Sequence, residues 1–103
     1  MNAVLLEQVK RKLNITWEDA DTTARLEEMI EAAVLTLKFK LGIAAEDFDF
    51  SAAGIENLLL VNYCLYEWNH CLNEFDVNYA NEIAQTRAKH EVAYYEEQEN
   101  VEE

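Results

Sequence analysis

The absence of proline constrains this chain more than any other feature of its sequence. None of the 103 residues is proline and only two are glycine, so very few positions interrupt a helix. We therefore predict an all-α fold, a small bundle of about four helices with one long central helix. A chain of this length holds a single hydrophobic core. We expect one helical domain over residues 1–96, followed by an acidic, flexible tail over 97–103.

Apolar residues recur at spacings of three and four in four segments, as amphipathic helices require. The first predicted helix covers 3–13, and its last turn carries three cations that complement the helix dipole. The second is capped by Asp21 or Thr22, reinforced by Asp19, and ends near Leu41 because Gly42 is a stop signal. It is long enough to form the backbone of the fold. The third and fourth predicted helices cover 52–73, with Ser51 as the cap, and 78–98.

The third predicted helix carries large apolar side chains on more than one face. Val61, Cys64 and Trp68 widen an apolar arc that already includes Leu58 and Leu65. Such a helix is either central in its own domain or contacts another molecule. We therefore take Trp68 as a candidate interface residue.

The segment 44–54 is the one stretch that resembles a true loop, and it contains two phenylalanines. Phe48 and Phe50 alternate with acidic residues there. Two interpretations stay open: the two rings fold back as a lid on the core, or they insert into a neighbouring subunit.

The fourth predicted helix has a line of small residues at a spacing of four, which lets another helix approach closely. A half-polar stripe lies beside this line, and two tyrosines follow at the start of the acidic end. The candidate interface residues of this helix are Tyr79, Ala80, Ile83, Ala84, Ala88, Tyr94 and Tyr95.

The charge of the chain is strongly negative, −13 with a pI near 4.4. Residues 1–50 carry 6 basic and 10 acidic side chains, whereas residues 51–103 carry 2 and 11. This balance argues against a generic DNA-binding protein, because a basic surface supplies most non-specific affinity for phosphates. It is typical either of simple solvation or of a protein that selects a basic partner.

The stretch YEWNHCLNEF, residues 66–75, is a candidate for a metal site or a catalytic cluster. Glu67 and His70 have the Glu-x-x-His spacing of di-iron bundles, but Arg87 stands three positions before the other histidine, His90, so the second copy is missing. Cys64 and Cys71, seven apart on one predicted helix, would stand about 10 Å apart along its axis. We expect two free thiols, no metal, no cofactor and no enzymatic activity.

Membrane insertion is not expected, since the chain has no apolar run of about 18 residues. Met1 is not followed by a basic and then apolar signal segment. We expect a soluble, intracellular protein.

Two segments resemble a known family. Residues 9–43 read VKRKLNITWEDADTTARLEEMIEAAVLTLKFKLGI and are similar to the start of the head-tail connector proteins, or DNA-packaging adaptors, of long-tailed phages and prophages. The likeness lies in a Leu-x-Ile element at Leu13 and Ile15, an Asp-rich turn at Asp19 and Asp21, and the long helix after it. Residues 62–97 read NYCLYEWNHCLNEFDVNYANEIAQTRAKHEVAYYEE and resemble the Tyr- and Asn-rich closing helices of connectors from prophages of Gram-positive bacteria.

The resemblance implies a small helical subunit that forms a ring, of twelve copies, beneath the portal of a DNA-filled capsid. It implies a portal protein and a tail or stopper protein as partners, and DNA that passes through the channel without specific binding. The location would be the head-tail junction of the virion, and the host cytoplasm during assembly. An acidic regulator that mimics DNA and occupies the groove of a basic nucleic-acid-binding protein is the alternative function, motivated by charge alone.

Overall fold

Helices joined by loops make up the part of the chain that its structure, a computed structural model, describes: residues 2–102, with side chains as far as Glu97. No strand occurs in that range, which confirms the predicted all-α class. There are five α-helices rather than about four, and a short 3-10 helix, Leu72–Glu74, lies between the third and the fourth. The α-helices are α1 Ala3–Lys12, α2 Ala20–Leu41, α3 Ile55–Trp68, α4 Phe75–Asn78 and α5 Ala80–Glu102.

The first helix begins at an asparagine cap. The Asn2 side chain accepts hydrogen bonds from the backbone N–H groups of Val4 and Leu5, at 3.0 and 3.2 Å, which satisfies two donors that a helix start leaves unpaired. The helix ends before Asn14, whose φ of 59° is left-handed. The chain then turns so that Ile15 enters the core.

The long helix α2 is capped at both ends. Asp19 is its N-cap, and its carboxylate accepts from the backbone N–H of Thr22 at 3.1 Å, so the prediction of Asp21 or Thr22 as the cap was wrong by two or three residues. Gly42 ends the helix with a φ of 64°, as predicted, because glycine adopts this left-handed conformation without a steric penalty.

The third helix is shorter than predicted at both ends. Ser51 does not cap it, since its N–H and hydroxyl bind the Asp49 carboxylate instead, and Gly54 is the N-cap residue. At the other end His70 takes a left-handed φ of 58°. The backbone N–H of Cys71 donates to the Tyr66 carbonyl at 2.8 Å and closes the helix.

The stretch 66–75 is therefore a helix end and a reversal, not a continuous helix. The short α4 after it places Phe75, which is 1% exposed, against α3. The Phe75 ring makes edge contacts with Tyr63 and Tyr66, at centroid distances of 5.1 and 5.7 Å, and stacks at a tilt on Tyr79 at 5.0 Å. This aromatic cluster joins the third helix to the start of the last one.

The hydrophobic core lies between α1, α2 and α3. It consists of Leu5, Val9, Ile15, Leu26, Ile30, Ala33, Leu37, Leu41, Ile43, Phe50, Leu59, Leu60, Cys64 and Phe75. One face of α2 supplies five of these residues, Leu26, Ile30, Ala33, Leu37 and Leu41, at the spacings of three and four that an amphipathic helix requires. At about 25 cal/mol per Å² of apolar area, burial of this set is the main stabilising contribution.

The last helix gives the molecule its elongated shape. Its 23 residues span about 34 Å, and the molecule measures 53 × 28 × 19 Å. The radius of gyration of 15.0 Å exceeds the roughly 13 Å expected for a compact domain of 100 residues. The segment 97–103, which we predicted as a tail, is helical as far as Glu102, and Glu103 lies outside the described residues.

Candidate interaction surfaces

The first half of α5 is fastened to the bundle by a carboxylate. Glu56, in the first turn of α3, forms an ion pair with Lys89 and lies 2.8 Å from His90 Nε2. Burial by itself would raise the pKa of Glu56, but hydrogen bonds from Lys89, its own backbone N–H and His90, with the charge of Lys89, lower that pKa overall. The His90 ring also makes an edge contact with Phe48, at a centroid distance of 5.6 Å.

A second attachment joins α5 to the end of α2. The Arg87 guanidinium donates to the backbone carbonyls of Phe39 and Lys40, each at 3.1 Å. These carbonyls belong to the last turn of α2, where helix geometry leaves acceptors unpaired and the dipole favours a cation. Lys40 pairs with Asp76 at 3.0 Å on the same side.

The predicted small residues of α5 lie beside these attachments. Ala80, Ile83 and Ala84 line a groove of about 390 Å³ together with Phe39 and Arg87. The groove exists because the alanine side chains are too short to fill the space between α5 and the end of α2. Ala88 is exposed.

The two loop phenylalanines fold back on the core of their own chain. Phe50 is 2% exposed and Phe48 is half-buried, with their ring centroids 5.0 Å apart. Of the two interpretations, the lid is the one observed, and Phe50 is not available to a neighbouring subunit in this conformation. Phe48 and Phe50 form one wall of a groove of about 590 Å³.

Trp68 and Tyr79 also have partners within the chain. The Arg25 guanidinium lies over the half-buried Trp68 ring, 5.4 Å from its centroid. Tyr79 belongs to the aromatic cluster, and burial, followed by the neighbouring Tyr66 and Glu82, raises its pKa. Both rings therefore already contact side chains of their own chain.

The described side chains in the second half of α5, residues 91–97, make no such attachments to the other helices. Every side chain from Glu91 to Glu97 is exposed, including Val92 at 57%, Tyr94 at 45% and Tyr95 at 67%. Tyr94 and Tyr95 contact each other edge to face, at a centroid distance of 5.9 Å. Two of the predicted interface residues therefore lie on a helix segment that projects from the bundle.

Sequence reasoning missed the most exposed apolar side chains. Phe39 is 82% exposed and Leu35 is 71% exposed, and both lie on α2 outside its core stripe. The available signal was their spacing of four residues, which places two large apolar groups together on the outer face of a helix. The other large exposed apolar residues that were not predicted as interface residues are Val4, Trp17, Leu58, Val77 and Val92.

The cysteines do not share a helix, so that part of the prediction was wrong: α3 ends at Trp68, before Cys71. Both thiols are free, as predicted. Cys64 is buried, and this burial, with the charge of Glu67, raises its pKa to about 12. Among residues 2–102 no group of three or more His, Cys, Asp or Glu side chains is placed to hold a metal ion.

Over the same described range, each helix is too short or too polar to cross a bilayer. No protein-family model, curated protein or solved structure matches this chain.

Proposed function

We propose that this chain is a structural subunit of a phage head-tail connector. In this proposal twelve copies form a ring beneath the portal, extend the DNA channel and dock the next tail or stopper protein. The subunit has no catalytic activity and no cofactor. It acts at the head-tail junction of the virion and is present in the host cytoplasm during assembly.

The observation that carries the proposal is the projecting half of α5. Isolated helices shorter than about 12–15 residues are marginal in water, and most helices are stabilised by burying an apolar face. From Glu91 onward α5 buries none of the described side chains, yet it presents Val92, Tyr94 and Tyr95 to solvent. A neighbouring subunit or the portal would cover this face and stabilise the helix.

A second apolar surface supports a ring rather than a two-fold dimer. Phe39, which is 82% exposed, lies on α2, on a different element from the projecting half of α5. Head-to-tail contacts need two different patches on each copy, and they generate rings when the rotation closes. The groove formed by Ala80 and Ala84 beside Phe39 has the short side chains that close packing of another helix requires.

The negative charge fits a channel through which DNA passes. A net charge of −13 repels phosphates, whereas a basic lumen would retain them through counterion release. The charge thus favours passage of DNA without specific binding.

Light scattering and negative-stain imaging of the protein with a portal protein test this function. We expect rings on the portal, and we expect Tyr95→Glu to prevent them because it places a charge in the proposed interface. Gln85→Glu is the matched control, since it adds the same charge at an exposed position on the attached half of α5.

A wild-type protein that stays monomeric and does not bind the portal would contradict the connector function. Salt-sensitive binding to a basic nucleic-acid-binding protein, with no portal binding, would instead support the DNA-mimic alternative.

A further inference from the structure

The groove between α2 and the loop 44–50 has an apolar floor and an acidic rim. Leu5, Ile30, Val34 and Leu35 contribute from α1 and α2, and Phe48 and Phe50 from the loop. The acidic residues along it are Glu31, Asp47 and Asp49, and no lysine or arginine lines it. Its volume of about 590 Å³ lies within the range of roughly 300–1,000 Å³ typical of binding sites.

The rim is built by specific hydrogen bonds. The Asp49 carboxylate accepts from the Ser51 backbone N–H at 2.9 Å, from the Ser51 hydroxyl at 2.5 Å and from the Asn2 side chain at 3.2 Å. These bonds tie the loop to the start of α1, so the wall is held in place without a ligand. They also hold the pKa of Asp49 below its usual range, with the Ser51 hydroxyl as the largest cause.

Lys38, the cation that contacts the loop, forms no ion pair with this rim. Lys38 Nζ donates to the backbone carbonyl of Glu46 at 3.2 Å, and Lys38 does not line the groove. Glu31, Asp47 and Asp49 also take part in none of the ion pairs found in the described part of the chain. Three carboxylates that belong to none of these ion pairs, around an apolar floor, favour an occupant that is apolar in its centre and positively charged at its edges.

We propose that this groove binds a peptide segment of a partner protein that carries large apolar side chains flanked by Lys or Arg. The apolar side chains would occupy the floor between Leu35 and Phe48, and the cations would pair with Glu31 and Asp47. This docking surface shares no residue with the proposed self-assembly surfaces, which are the projecting half of α5 and the groove beside Phe39, and it does not depend on ring formation.

Selection from a random twelve-residue peptide library tests the proposal on the isolated full chain. The wild-type protein is the target, and the double variant Leu35→Ser/Glu31→Lys is the counter-selection. We expect enriched peptides with apolar pairs flanked by Lys or Arg, binding one to one in fluorescence anisotropy. Enrichment of neutral or acidic peptides, or no enrichment over the double variant, would overturn the proposal.

Matched single variants separate the groove from general attraction to an acidic protein. We expect the selected peptide to bind Glu31→Lys about tenfold more weakly, which corresponds to roughly 1.4 kcal/mol. Glu28→Lys makes the same charge change on the same helix but lies in a different groove, with Trp68, and should bind within about twofold of the wild type. Equal losses in the two variants would show non-specific attraction and overturn the proposal.

The fold of each variant is checked by its amide spectrum. The same spectra locate the peptide, because shifts confined to the groove residues support the proposal and shifts spread over α5 oppose it. Concentration-dependent self-association that Leu35→Ser removes, without any peptide binding, would place a second copy of the chain in the groove and overturn the partner-peptide proposal.

Discussion

The two long helices of this protein, α2 and α5, have almost equal lengths, 22 and 23 residues, but opposite relations to the core. Helix α2 buries Leu26, Ile30, Ala33, Leu37 and Leu41. Among its described side chains α5 buries only Thr86, whose hydroxyl donates back to the Glu82 carbonyl at 2.6 Å. Helix-forming composition is therefore common to both, whereas α2 is stabilised by a buried apolar stripe and α5 by partly buried contacts in its first half.

The difference between the two helices indicates which part of the molecule has surface available to a binding partner. Helix α2 is stabilised by packing from Leu26 to Leu41 and needs no partner to stay helical. Helix α5 is attached through Arg87, Lys89 and His90, and its described side chains after them, residues 91–97, are all exposed. A segment with few buried apolar contacts has low local stability, as binding segments generally do.

Amide hydrogen exchange should show the largest contrast between the two helices. We expect the amides around Leu37 to exchange only on global unfolding, and those of Val92–Glu97 to exchange at least about a thousandfold faster because the projecting half opens locally. Protection is measured residue by residue in the monomeric protein. Equal protection along α5 and α2 would show that the projecting half is stable without a partner and would remove the main support for the connector proposal.

Truncation of one apolar side chain on each helix sharpens the comparison. Leu37→Ala removes a fully buried side chain and should lower the free energy of unfolding by about 2–5 kcal/mol. Val92→Ala, on the projecting half, should change it by less than about 0.5 kcal/mol. Urea denaturation at pH 7 measures both, and a Val92→Ala loss above about 1 kcal/mol would mean that this residue is packed in solution.

The fold class and the core of α2 were predictable because both follow from local chemistry. Proline is absent, the apolar stripe of α2 has helical periodicity, and Gly42 occupies the left-handed position that ends the helix. Helix starts were less predictable because several polar residues compete for each cap. Asp19 rather than Asp21 caps α2, and Ser51 is engaged by Asp49 instead of capping α3.

The end of α3 and the exposed surfaces could not be predicted, because they depend on tertiary contacts. Nothing in the local sequence marks His70 as a left-handed residue, and Phe75 supplies the reason by packing back on Tyr63 and Tyr66. Similarly, the sequence predicted Phe50 as an interface candidate although the core covers it. Phe39 went unpredicted, and only the fold shows that no other element covers it.

The attachment of α5 through Glu56 should depend on pH. The pKa of Glu56 is lowered from its ordinary value of 4.5, so its stabilising contribution is fully present above 4.5 and is lost as the pH falls through its folded-state pKa. At pH 7 Glu56→Gln should lower the free energy of unfolding by about 1 kcal/mol, because charge-assisted hydrogen bonds to Lys89 and His90 weaken.

The control for Glu56 is Glu28→Gln, an exposed carboxylate on α2, for which we expect no measurable change. The wild type and Glu56→Gln should converge in stability as the pH falls below the folded-state pKa, since the protonated Glu56 side chain is then neutral, as the Gln side chain is at every pH. Urea midpoints between pH 7 and pH 3 measure the convergence. A difference that persists at the lowest pH would assign the loss to packing rather than to charge.

The smallest effect is expected at Arg87, where α5 caps the end of α2. The guanidinium is about half exposed, so solvent screens its bonds to the Phe39 and Lys40 carbonyls, and Arg87→Gln should cost only about 0.5 kcal/mol. Arg11→Gln is the matched control, because Arg11 is exposed on α1 and takes part in none of the ion pairs found in the described chain. The amide signals of residues 38–42 should shift in Arg87→Gln alone. Unchanged signals there would mean that Arg87 does not contact the end of α2 in solution. The lack of attachment that distinguishes α5 from α2 would then begin in the first half of α5 rather than after His90.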